Sequence, residues 1–121
     1  YTTLFRSEYN IENEKKYIID LFSSAMKLFQ KSLDCFARKD FKLAEVVRSQ
    51  DLDIDKQYKY FFNQLLEKMS HQSKLVVPGT HMLFIAKNLE RLGDHATNIA
   101  DSISYMATGE VKAPSRLKIS E

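Results

Sequence analysis

Three long stretches of the chain return to an apolar residue every three or four positions, with short polar breaks between them. That period belongs to amphipathic helices rather than strands. The first stretch runs from Ile11 to Arg38, and its stripe is Ile18, Leu21, Phe22, Ala25, Leu28, Phe29 and Phe36. Residues 38–40, "RKD", break it and place Asp40 to cap the next helix. The second stretch spans Phe41 to Ser70, with a seam through Leu43 or Ala44, Val47, Asp51, Ile54, Tyr58, Phe61, Leu65 and Met69. Residues 71–80, "HQSKLVVPGT", form the longest interruption, and Pro78-Gly79 reads as its turn, with "KLVV" as loop or early helix. The third helix is expected from Thr80, as cap, to Gly109, as its C′ glycine. Its stripe is Met82, Ile85, Ala86, Leu89, Leu92, Gly93, Ala96, Ile99, Ala100, Ile103 and Met106. Gly93 stands inside that stripe at a cost of about 1 kcal/mol against Ala, so it is expected to admit a neighbouring helix closely.

Three helices with short connections predict an all-α fold, an antiparallel three-helix bundle over residues 11–109. Residues 1–10 are expected to be a leader and residues 110–121 a flexible tail. The three Gly and two Pro leave little turn chemistry for a many-stranded sheet. With 121 residues there is room for one domain and one real core.

Charge and cysteine usage narrow the partners. A formal charge of +2 with scattered Lys and Arg gives no basic patch for nucleic acid. Cys35 is the only cysteine, so no internal disulfide can form and a reducing, cytoplasmic setting is expected. Its apolar helical neighbours favour a packed thiol over a reactive one. No apolar run reaches the roughly 18 residues of a membrane span, so no membrane insertion is expected. The chain starts at Tyr1 rather than Met, which suggests a piece of something longer.

Candidate chemistry lies in carboxylate pairs at i, i+4: Glu8/Glu12, Asp51/Asp55 and Glu90/Asp94. Like charges at that spacing destabilise a helix by about 0.2–0.5 kcal/mol. Their number is close to chance, so position has to discriminate among them. Asp51 falls inside the apolar seam of the second helix with Asp55 beside it; Glu90, Asp94, Thr97 and Asp101 follow one line along the margin of the third. Antiparallel packing could bring the two pairs face to face, where a cation would relieve them. All-oxygen ligation suits Mg²⁺, Ca²⁺, Mn²⁺ or iron better than Zn²⁺. Equally, Arg48, Lys56, Lys87 and Arg91 could neutralise the acids as ordinary ion pairs. His95 points away from the Glu90–Asp94 line, and His71 and His81 flank the loop without evident partners. No HExxH, CxxC or glycine-rich phosphate loop is present, and no nucleophile–base arrangement can be assembled.

"LERLGDHATNIADSISYMATGE", Leu89 to Glu110, resembles the last helix of the PhoU repeat, and "AEVVRSQDLDIDKQY", Ala44 to Tyr58, is similar to its second helix. The resemblance covers residues 11–110 and matches the second of two three-helix repeats. It implies an E/D-x-x-x-D motif on each helix, falling on Asp51 and Asp55, then on Glu90 and Asp94. In some family members such motifs hold iron or zinc clusters, so a metal ion or cluster of iron, zinc or manganese is implied. Leu52 departs from the pattern, standing where the family often has a further acid. The implied role is regulatory, that of a binding protein and not an enzyme. Such proteins link the ATPase subunit of the high-affinity phosphate transporter to a membrane sensor histidine kinase, and repress the starvation response when phosphate is plentiful. A PhoU-like domain of a sodium–phosphate cotransporter and a carboxylate-metal bundle enzyme are the alternatives. A single repeat with Asp51 in its seam is also expected to form a homodimer, rebuilding a six-helix arrangement.

Overall fold

The computed structural model describes residues 11–109, so the leader, the tail and Glu8 lie outside the described residues. Helices α1 (Glu12–Arg38), α2 (Phe41–His71) and α3 (Val76–Thr108) pack against one another in all three pairings, and a short 3₁₀ turn, Ser73–Leu75, precedes α3. No strand occurs among the described residues.

The first connection forms as the sequence suggests. Lys39 takes the left-handed conformation at φ 51°, and its N–H and that of Asp40 return to the Phe36 and Cys35 carbonyls. The Asp40 carboxylate then accepts from the Leu43 N–H at 3.1 Å, capping α2. Folding α2 back makes the pair antiparallel: Lys31 donates to Gln50 at one end, while Lys68 meets Glu14 at the other.

The second connection differs from the expectation. Chain direction changes at Gln72, which is extended, and α3 begins at Val76 rather than at Thr80. Pro78 occupies the third helical position, where no intrahelical partner awaits an N–H and its fixed φ suits the helix. Gly79 is no turn residue either: a Cβ there would sit 2.6 Å from the Met69 Sδ, so its small size admits the end of α2. Thr80 is not a cap, since its hydroxyl donates to the Val76 carbonyl at 2.6 Å inside the helix. At the far end Gly109 has φ 74° and its N–H returns to the Tyr105 carbonyl, the expected glycine stop.

The core runs the length of the bundle through Leu21, Leu28 and Cys35 of α1, Val47, Ile54 and Leu65 of α2, and Met82, Ala96 and Ile103 of α3. Ile11 and Leu75, outside the three predicted stripes, are buried as well and close the core from the connections. Four residues assigned to core stripes are exposed instead: Phe22, Phe36, Ile85 and Met106 are 52%, 58%, 43% and 57% exposed. The apolar arcs of α1 and α3 are wider than the one side that two neighbouring helices can cover.

Candidate functional site

α2 and α3 meet along their length in antiparallel register. Arg48 pairs with Asp101, Asp51 with Thr97, and Tyr58 lies beneath Lys87, so partners descend on α3 as they ascend on α2. That register places Asp55 at the level of Glu90.

Asp51 sits between Val47 and Ile54 on the buried side of α2, and is 1% exposed. Its place is made by α3. A Cβ at residue 93 would lie 2.6 Å from the Asp51 Oδ1, so glycine opens the space the carboxylate occupies. The sequence suggested that Gly93 lets a helix approach closely; what it admits is a charged side chain. One turn on, the Thr97 hydroxyl donates to the Asp51 Oδ2 at 2.6 Å and lies 3.2 Å from the Gly93 carbonyl. A hydrogen bond to a buried carboxylate is charge-assisted and contributes roughly twice a neutral one.

Glu90, on the other side of Gly93, is 2% exposed. Lys87, one turn before it, brings its ammonium to 3.3 Å from the Glu90 Oε1 and 5.5 Å from the centroid of the Tyr58 ring. The lysine therefore neutralises a buried acid while its own charge rests over an aromatic face. Asp55 and Asp94 are half-buried at the margin of the seam, and Lys59 lies 3.0 Å from the Asp55 carboxylate.

Of the basic residues considered from the sequence, Arg48 and Lys87 join the seam, Arg48 through Asp101; Lys56 and Arg91 are exposed. Lys59 was missed, although its i, i+4 spacing from Asp55 was a legible signal. Arg48–Asp101 crosses between helices and could not be read from spacing within either.

The donor set of Asp51, Asp55, Glu90 and Asp94 is all oxygen and suits a hard cation. Two of the four are buried as acids rarely are without compensation. Among the described residues, however, no three His, Cys, Asp or Glu side chains converge closely enough to share one metal ion. Lys59 and Lys87 supply charge to two of the four in this conformation. Other reactive groups stand apart. His81 and His95 are exposed, and His71 pairs with Glu67 at 3.0 Å on the surface. Cys35 is buried with its Sγ 3.3 Å from the Asp40 carbonyl; burial, then the Asp40 charge, pushes the thiol pKa up, against a smaller opposing effect of Arg38. A thiol so placed is a core group.

A family model described as PhoU domain matches residues 18–103, spanning parts of α1 and α3 and all of α2. A phosphate-specific transport system accessory protein PhoU homolog of Xylella fastidiosa (strain 9a5c) is 44% identical over 87 residues, which is 72% of this chain and 37% of that protein. Proteins of the same description from Rhizobium meliloti (strain 1021) and Clostridium acetobutylicum are 45% and 36% identical, over 70% and 78% of this chain and 36% and 43% of theirs. The chain thus spans little more than a third of the length of the first two relatives. No solved structure matches.

Proposed function

The chain belongs to the PhoU family, and from that premise we propose that it is a regulatory accessory of phosphate transport, a binding protein and not an enzyme. The observation that carries this reading is the family match over residues 18–103, which takes in parts of α1 and α3 and all of α2. In this reading the protein is cytoplasmic, contacts the ATPase subunit of the phosphate transporter and a sensor histidine kinase, works as a homodimer, and represses uptake and starvation signalling when phosphate is plentiful. No described helix is long and apolar enough to cross a membrane. Direct phosphate sensing is not part of the proposal, because the seam presents carboxylates that repel an anion.

The test is complementation. In a bacterium lacking its own PhoU-type regulator, expression of the chain should restore repression of a phosphate-starvation reporter in phosphate-rich medium. Persistent reporter activity, with the chain folded and abundant, would remove the adaptor reading.

The proposal extends to metal. Asp51, Asp55, Glu90 and Asp94 would hold iron, zinc or manganese after release of the lysine pairs; the burial of Asp51 and Glu90 supports this. Such an ion would neutralise the seam and lock α2 to α3. Elemental analysis of the purified protein beside the four-alanine variant decides it: near-stoichiometric metal absent from the variant supports the ligand set. No metal in either protein leaves the seam as an ion-paired face.

A further inference from the structure

Lys87 reaches a buried acid, an aromatic face and water at once. It lies on α3 three residues before Glu90, and its ammonium stands 3.3 Å from the Glu90 Oε1. The same ammonium is 5.5 Å from the centroid of the Tyr58 ring on α2. Glu90 is buried, whereas the Lys87 side chain is 30% exposed.

A buried carboxylate has to be neutralised, either by a cation of the chain itself or by a metal ion that several acids share. The seam suits a metal on three counts. Asp51 and Glu90 are buried, the donors are all oxygen, and the missing Cβ of Gly93 leaves room against the Asp51 Oδ1. Yet among the described residues no three such groups converge on one point in this conformation, and Glu90 faces an ammonium. That carboxylate serves one cation or the other, because a metal takes the oxygen lone pairs that an ammonium occupies. We infer that Lys87 is a built-in competitor for the metal: its ammonium holds Glu90 until a metal ion displaces it, and the ease of that displacement sets the affinity of the seam. The inference rests on the metal part of the proposed function and adds the control of that site.

The residue type fits the role. A lysine ammonium is a compact, strongly hydrated charge on a flexible stem, whereas an arginine would clasp the carboxylate with a planar fork. Because Lys87 is partly exposed, its released charge has water to enter, and the Tyr58 ring adds only a weak hold. Lys59 resists less. It pairs with half-buried Asp55 along one helix, 3.0 Å away at the margin of the seam, and pairs of that kind contribute little. Arg48 is engaged by Asp101, outside the four acids. Resistance to the metal is therefore concentrated at Lys87. Without metal, Lys87 ties the two helices together through Glu90 and Tyr58. With metal, it moves a positive charge to the surface beside Tyr58, so that occupancy of the seam becomes legible from outside the bundle.

Titration of Mn²⁺ into the full chain, with free Mn²⁺ followed by electron paramagnetic resonance, tests this. Lys87→Met keeps the stem and removes the charge. It should bind Mn²⁺ about 10-fold more tightly than the parent, or bind where the parent does not, while its metal-free form unfolds at lower urea. A lysine that merely props the seam would weaken both. Lys87→Arg should bind roughly 10-fold more weakly than the parent with helical circular dichroism unchanged, and it carries the test should Lys87→Met fail to fold. In the parent, saturating Mn²⁺ should raise acylation of Lys87, read by mass spectrometry against exposed Lys56, several-fold. Binding by Lys87→Met no tighter than the parent's, or Lys87 acylation that ignores bound Mn²⁺, overturns the competition and leaves the metal site standing. No binding of Mn²⁺, Zn²⁺ or Fe²⁺ by either the parent or Lys87→Met overturns the metal part of the proposed function, and the competition with it.

Discussion

α3 has two long flanks, and they invert the usual rule of burial. Toward α2 it buries acids: Asp51 at 1% exposure and Glu90 at 2%, set about Gly93. Away from α2 it exposes apolar side chains, with Phe84 at 66% and Met106 at 57%. Hydropathy alone would assign these the other way round. A residue's burial follows its angle around the helix and the neighbour found there, and each flank needs something beyond the apolar core to justify it. On the α2 side that is Thr97, Lys87 and the missing Cβ of residue 93. On the other side the apolar side chains face solvent.

Substitution can break this contrast. The largest loss is expected from Gly93→Val, whose branched side chain would collide with the Asp51 carboxylate and with Ile54; overpacking of this kind costs about 3 kcal/mol. Urea unfolding should show the midpoint falling with the slope preserved. If Gly93→Val is as stable as the parent, the seam yields far more readily than its geometry implies.

Thr97→Val comes next. It keeps the shape and removes the hydroxyl from a buried carboxylate, at about 1–3 kcal/mol. The double variant with Asp51→Ala should lose much less than the two single losses together, a coupling that a double-mutant cycle measures directly. Additive losses would mean that the hydroxyl and the carboxylate do not depend on one another.

Arg48→Met breaks the cross-helix pair with Asp101, which is partly exposed, and should cost about 1 kcal/mol or less. The difference from the parent should shrink in high salt. An effect insensitive to salt would assign the loss to the packing of the arginine stem instead.

The smallest effect sharpens the contrast. Phe22→Ser, on the apolar flank, should change unfolding of the chain by no more than about 0.5 kcal/mol. A loss as large as that of Thr97→Val would show that Phe22 packs within its own bundle.

Much of this protein was already determined along the chain. The three-four period set the helices, and Asp40, Lys39 and Gly109 set three of their ends, because caps and left-handed stops act over a few residues. Asp51 declared itself by standing in an apolar seam, and the resemblance to the PhoU repeat pointed to Glu90 with it. Local signals failed where a residue served a distant neighbour. Pro78 and Gly79 spell a turn in isolation, yet the helix runs through them, with Pro78 in its first turn and Gly79 against the Met69 side chain. Phe22, Phe36, Ile85 and Met106 fit a core stripe by period, and only the packing of three helices shows that the stripe has two sides. The partners of the acids were decided the same way. Asp55 with Lys59 follows from spacing along one helix, whereas Arg48 with Asp101 and Thr97 with Asp51 require the register of α2 against α3. Period and caps are properties of consecutive residues; register, and the angle each helix turns toward its neighbours, exist only once the chain has folded.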